Sequence, residues 1–176
     1  MKMSKTKKLV LSALFLALGL IMPFLTGQIP EIGNQLLPMH IPVLLCGFIC
    51  GGPYGLLVGF LTPLFRSVLF GMPPMLPIAV SMAFELATYG LAAGVLYQKL
   101  KNKKAGIYIS LIGAMLAGRV VWGMVSMVLY GILGNVFTGQ IFAAGAFINA
   151  VPGILIQLVL IPAIVFTLKK ARLIEV

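Results

Sequence analysis

Four ionisable side chains, His40, Arg66, Glu85 and Arg119, stand in stretches that are otherwise apolar. An ionisable group at the centre of a bilayer costs about 2.5 to 3.5 kcal/mol on insertion scales, so such groups usually face a protein interior or a watery cavity. Ser81, Glu85 and Thr88 recur at helical spacing, as do Arg119, Trp122 and Ser126, which puts each set on one face of its helix. Asn149 adds an amide just before the Pro152-Gly153 break. These residue types offer hydrogen bonds and charge complementarity to a small polar ligand. One Glu cannot neutralise two Arg, so at least one guanidinium is expected to meet an anion, a carbonyl cluster or a lipid phosphate. The plainer alternatives are a bundle-holding ion pair for Glu85, snorkelling to headgroups for Arg66, and capping or packing for His40. Whether Glu85 pairs with Arg119 or with Arg66 is open at the level of sequence.

Catalytic signatures are missing. There is no Gly-rich phosphate loop ending in Lys, no His-Glu-x-x-His and no paired carboxylates. One His and three acids scattered over 176 residues do not build a metal or proton-relay site of any ordinary kind. Cys46 and Cys50 are one helical turn apart, and buried free Cys more often packs as a small hydrophobe than binds metal. No enzyme activity, no cofactor and no metal site are expected.

The elements that position these residues follow from composition. The chain is 61% hydrophobic and 9% charged, too few charges to cover a water-facing surface. A bilayer core needs about 20 apolar residues per helical crossing. Runs bounded by Gly, Pro and Lys predict six helices near 9–26, 38–51, 54–70, 76–98, 107–131 and 142–168, an all-α integral membrane bundle forming a single membrane domain over 1–176. The second is too short to cross upright and is expected to pair tightly with the third across Gly51, Gly52 and Pro53. The first span has a basic start like a secretory signal, but no small-x-small cleavage site follows it, and it reads as a retained helix.

The net charge of +10 could suggest nucleic acid, but the placement of the charges argues for a membrane. Lys2, Lys5, Lys7 and Lys8, then Lys99, Lys101, Lys103 and Lys104, then Lys169, Lys170 and Arg172 form three clusters that an even number of crossings puts on one side. Basic residues stay cytoplasmic, so both termini are expected inside, with the clusters near anionic lipid headgroups and no nucleic-acid partner. At ~1.5 Å per residue, Arg66 falls ~6 Å and Glu85 ~14 Å from the outer ends of their helices, and Arg119 ~18 Å from the inner end of its own. With His40 near the outer end of the second helix, all four converge on the outer half. The loop carrying Thr26, Gly27, Gln28, Pro30, Glu31, Gly33, Asn34 and Gln35 has the composition of a lid or of a plain connector.

Six helices with both ends inside, and Ala13-x-x-x-Ala17 on the first, resemble the substrate-binding S-component of an energy-coupling-factor (ECF) vitamin transporter. The likeness is carried by Met39-His40-Ile41-Pro42-Val43, Gly47-Phe48-Ile49-Cys50-Gly51, and Pro63-Leu64-Phe65-Arg66-Ser67 through Gly71-Met72-Pro73-Pro74. The resemblance implies high-affinity capture of a vitamin or precursor from outside, in the plasma membrane of a bacterium or archaeon. It also implies docking, through Ala13 and Ala17, on a transmembrane T-component with two ATPase subunits. The site it leads us to expect comprises Arg119, Glu85, Arg66, Asn149, Trp122, Ser81 and His40. Metal-uptake members begin Met-His, whereas this chain begins Met1-Lys2, and a single Trp argues against thiamine. Pantothenate fits best, its carboxylate suiting Arg and its hydroxyl and amide groups suiting Asn149, Ser81 or Glu85; pyridoxine, hydroxymethylpyrimidine and niacin are the alternatives. A small autonomous oligomeric channel or exporter is the competing reading, which a polar stripe through both leaflets would favour.

Overall fold

The computed structural model describes residues 3–26, 29, 33, 35–103 and 105–171. Lys2, Lys104 and Arg172 of the basic clusters, and Gly27, Gln28, Pro30, Glu31 and Asn34 of the connecting loop, lie outside the described residues. Among the described residues every regular element is helical: α1 (Lys5–Ile21), α2 (His40–Cys50), α3 (Gly52–Phe70), α4 (Val80–Leu100), α5 (Gly106–Ile132), the short α6 (Gly139–Ala143) and α7 (Val151–Lys170). A 3-10 turn, Met22–Thr26, extends α1, and π turns precede α4 at Met75–Ala79 and join α6 to α7 at Ala144–Ile148. With α6 and α7 read as one bent rod, six rods result, and the chain is an integral membrane helix bundle. Among the described residues, five stretches are long and apolar enough to cross a bilayer: Lys5–Leu25, Gly52–Phe70, Met75–Leu100, Gly106–Ile132 and Gly139–Lys170.

Local chemistry sets the boundaries. α1 starts at Lys5, ahead of the apolar run, because the Ser4 side chain accepts from the Lys7 amide at 3.2 Å and caps the helix. α2 and α3 are separated by Gly51 alone, whose φ of +103° suits only a residue without a Cβ. α2 has 11 residues, about 16 Å of helix at the standard rise, and all of them are buried. It is the central post of the bundle rather than a full crossing.

The packing around that post is backbone against backbone. A Cβ on Gly90 would collide with the Gly55 carbonyl, one on Gly47 with the Gly90 carbonyl, and one on Gly59 with the Leu86 carbonyl. Small residues that allow such approach are how helices associate in lipid, where apolar burial alone supplies no preference for a partner helix. Phe48 of α2 meets Tyr97 of α4 edge-on at 5.2 Å, within a core that also includes Leu44, Leu86, Leu111 and Ile161. Large apolar side chains point outward on every long rod, among them Leu14, Leu57, Val120 and Val159, which suits a hydrocarbon surround.

Alternating directions bring the start of α1, the end of α4 and the end of α7 to one end of the bundle. Lys5, Lys7, Lys8, Lys99, Lys101, Lys103, Lys169 and Lys170 all belong to that basic end. The opposite end is built from Met22–Thr26, the approach to α2, the 71–79 connection and the 133–150 segment.

Candidate functional site

Three helices place the ionisable groups toward the non-basic end. Gly118 of α5 lies against α4, where an added Cβ would stand 2.9 Å from the Tyr89 ring and 3.1 Å from the Glu85 carbonyl. That close approach brings the next residue, Arg119, to Glu85, with Nη1 2.8 Å from Oε1. The same carboxylate oxygen is 3.5 Å from His40 Nε2 at the start of α2. Tyr89, one turn along α4, closes over His40 edge-on at 5.2 Å. His40, Glu85 and Arg119 are all buried, so one carboxylate is shared between a guanidinium and an imidazole. The choice left open by spacing falls to Arg119 rather than Arg66.

Arg66 has different surroundings. It projects from α3 toward the end of α1, where Nη1 donates to the Leu20 carbonyl at 2.5 Å. A cation there suits the negative end of the helix and one of its unsatisfied terminal carbonyls. Its guanidinium lies 4.8 Å from the Phe24 ring centre and 5.4 Å from that of Phe70, and the two rings meet edge-on at 5.0 Å. At 2% exposure it does not reach out to headgroups. Among the described residues it meets no carboxylate.

Arg66 and His40 both line a cavity of about 310 Å³ at the non-basic end. Its walls come from Pro23 after α1, Leu37 to Met39 ahead of α2, Met72 to Pro74, and Ile78 and Met82 leading into α4; Ile29 and Gly33 of the connecting loop complete the rim. Most of this lining is apolar, with a cation and an imidazole as the orienting groups. That is the usual make-up of a small-molecule site.

The remaining residues singled out by sequence are distributed. Ser81 is buried and donates to the Ile78 carbonyl at 2.9 Å, and Thr88 donates to Phe84 at 2.8 Å, so both hydroxyls are engaged within α4 and its approach. Trp122 joins an aromatic cluster with Phe137 at 5.8 Å and Phe142 at 6.1 Å, packed over Gly145. Asn149 is exposed at the end of the π turn, whereas His40, Glu85 and Arg119 are buried. Ala13 and Ala17 are exposed on α1. Cys46 and Cys50 are buried free thiols, and Cys46 is 3.6 Å from the Ser12 hydroxyl.

Gln157 of α7, which sequence reasoning passed over, is 1% exposed and its amide nitrogen has no hydrogen-bond partner among the described residues. Its signal was legible, since it is the only amide in the apolar run from Val151 to Leu168. The Ser126 hydroxyl and Nε and Nη2 of Arg119 are likewise buried and unpartnered among the described residues.

Residues 7–174 match the model of the family described as ECF transporter, substrate-specific component. No curated protein and no solved structure matches the chain.

Proposed function

Because the chain belongs to the substrate-specific components of ECF transporters, we propose that it captures a small anionic vitamin or vitamin precursor from outside the cell, pantothenate fitting best. The family is one of substrate-binding transport subunits rather than enzymes. The observation that carries the anionic reading is the pairing pattern. Glu85 is committed to Arg119, while Arg66 lines the cavity without a carboxylate among the described residues. A buried cation beside an open cavity favours a ligand that brings its own negative charge, and a guanidinium holds a carboxylate through two parallel hydrogen bonds. Niacin shares the carboxylate, whereas pyridoxine and hydroxymethylpyrimidine offer none.

The orientation follows from the basic end. Positive residues stay cytoplasmic, so the cavity opens on the outer face of a bacterial or archaeal plasma membrane, with both chain ends inside. Transport in this reading requires a transmembrane T-component and two ATPase subunits, met along Ala13 and Ala17 of α1. The buried polar groups near the basic end support a binding subunit rather than a pore. Ser12 and Ser110 turn back to the carbonyls of Lys8 and Gly106 at 2.7 Å each, so they form no polar stripe through that leaflet.

A panel of B vitamins tested by thermal shift on the purified chain, without ATP, checks the proposal. An anionic vitamin is expected to stabilise the protein with nanomolar-range affinity, and Arg66→Ala to weaken it by about 1.5 to 3 kcal/mol, the usual range for a charge-assisted contact. Stabilisation by none of the vitamins would refute capture. Stabilisation by uncharged vitamins alone would refute the anionic reading.

A further inference from the structure

Apart from Glu85 Oε1 and the two His40 ring nitrogens, which sit together in the ion-pair group, the buried polar atoms without a hydrogen-bond partner among the described residues are Arg119 Nε and Nη2, the Ser126 hydroxyl and the Gln157 amide nitrogen, and each of these can donate. Arg119 and Ser126 are seven residues apart on α5, two helical turns on one face. On α7 the buried residues Gly153, Gln157, Ile161 and Val165 recur every fourth position, and Gln157 is the only polar member of that stripe. A Cβ on Gly153 would meet the carbonyls of Gln35 and Leu36 at 2.6 and 2.8 Å, so this face of α7 is turned toward the segment that leads into Leu37 to His40 and the cavity wall. α5 and α7 touch only along a short seam. A buried donor without an acceptor is costly, and several on two neighbouring helices call for an oxygen-bearing ligand to satisfy them.

Resting on the capture reading above, we infer that Gln157 and Ser126 are specificity-determining residues that donate, together with the free edge of Arg119, to oxygen acceptors on the ligand away from its anionic group. The ligand class is then an acid that also carries hydroxyl or amide oxygens, rather than a flat aromatic acid or an uncharged base. Because these donors have no partner among the described residues, the ligand-free protein bears the cost of burying them. Replacing one by an apolar side chain of similar size raises the stability of the empty protein and lowers affinity for the ligand. A glutamine that merely holds helices together would do the opposite.

The test titrates pantothenate, nicotinate and pyridoxine calorimetrically into the full chain in lipid nanodiscs, and measures thermal unfolding of the ligand-free protein. Pantothenate is expected to bind more tightly than the other two. Gln157→Leu should reduce pantothenate affinity about tenfold, the scale of one well-made hydrogen bond lost, while raising the unfolding temperature of the empty protein. Ser126→Ala, too small a change to disturb folding, should lower pantothenate affinity several-fold without loss of stability. Unchanged pantothenate affinity in both variants, or a lower unfolding temperature for the empty Gln157→Leu protein, overturns the inference. A wild-type preference for nicotinate or pyridoxine overturns it as well, yet leaves vitamin capture standing. Binding of no vitamin at all overturns both.

Discussion

Glu85 is the residue on which the polar interior turns. It stands 2.8 Å from Arg119 and 3.5 Å from His40 through one oxygen, and all three groups are buried. A buried pair of this kind is weak evidence of net stabilisation, since desolvation offsets the attraction, but removing one member leaves an uncompensated charge. Glu85→Ala is therefore expected to destabilise the empty protein by about 3 to 5 kcal/mol, measured by denaturant unfolding in detergent. Glu85→Ala combined with Arg119→Ala should cost less than the two single changes added together, because the second substitution removes the stranded charge. Additive effects would mean that the two side chains do not depend on each other. Arg119→Ala should also weaken ligand binding by about 1.5 to 3 kcal/mol, because the free edge of its guanidinium donates to the ligand's other oxygens; unchanged affinity would remove Arg119 from the ligand's contacts.

At the scale of elements, the contact between α3 and α4 depends on missing side chains. Gly90 and Gly55 face each other so closely that a methyl group on Gly90 would overlap the Gly55 carbonyl. Backbone cannot rotate aside as a side chain can. Gly90→Ala is thus expected to cost about 1 to 3 kcal/mol as overpacking, despite the better helix propensity of Ala, and Gly90→Val more. Gly131→Ala, where nothing lies within 4 Å, serves as the control and should be neutral or stabilising. Equal behaviour of the two alanine variants would show that the helices have room to part. The rods themselves were legible in sequence because apolar runs of bilayer length end at Gly, Pro and Lys, and because Gly51 and Gly71 mark true breaks. Side-chain direction was harder to read. Spacing gave Arg66 and Arg119 equal claims on Glu85, and only the close approach at Gly118 decides between them. Asn149 belongs to the site expected from sequence, but the π turn at Ala144–Ile148 changes the helical register just before it, and the side chain is exposed. Gln157 is legible without geometry, as the lone amide one turn beyond the Pro152-Gly153 break.

Taken whole, the molecule separates its tasks in space: positive charge at one end, the cavity with its cation and imidazole at the other, and on α1 a flank that the rest of the described residues leave uncovered. Ser12, Phe15 and Gly19 turn inward, with Gly19 close against Thr62 of α3. Leu9, Val10, Ala13, Leu14, Ala17 and Leu18 turn outward. On that flank Ala13 and Ala17 form a shallow depression between larger side chains, where a second helix can come near. Ala13→Trp and Ala17→Trp fill the depression without touching anything inside the bundle, so folding and the cavity should be unaffected. Vitamin affinity is expected to stay within about twofold of wild type, a change of less than 0.5 kcal/mol. ATP-driven uptake in vesicles reconstituted with the T-component and ATPases should fall to background. Val159→Trp, on an equally bare part of α7, adds the same bulk to a face with no assigned partner and should transport normally. Loss of uptake in all three variants would mean that bulk anywhere in the lipid-facing surface blocks transport, and undiminished uptake with tryptophan at positions 13 and 17 would move the docking face off α1.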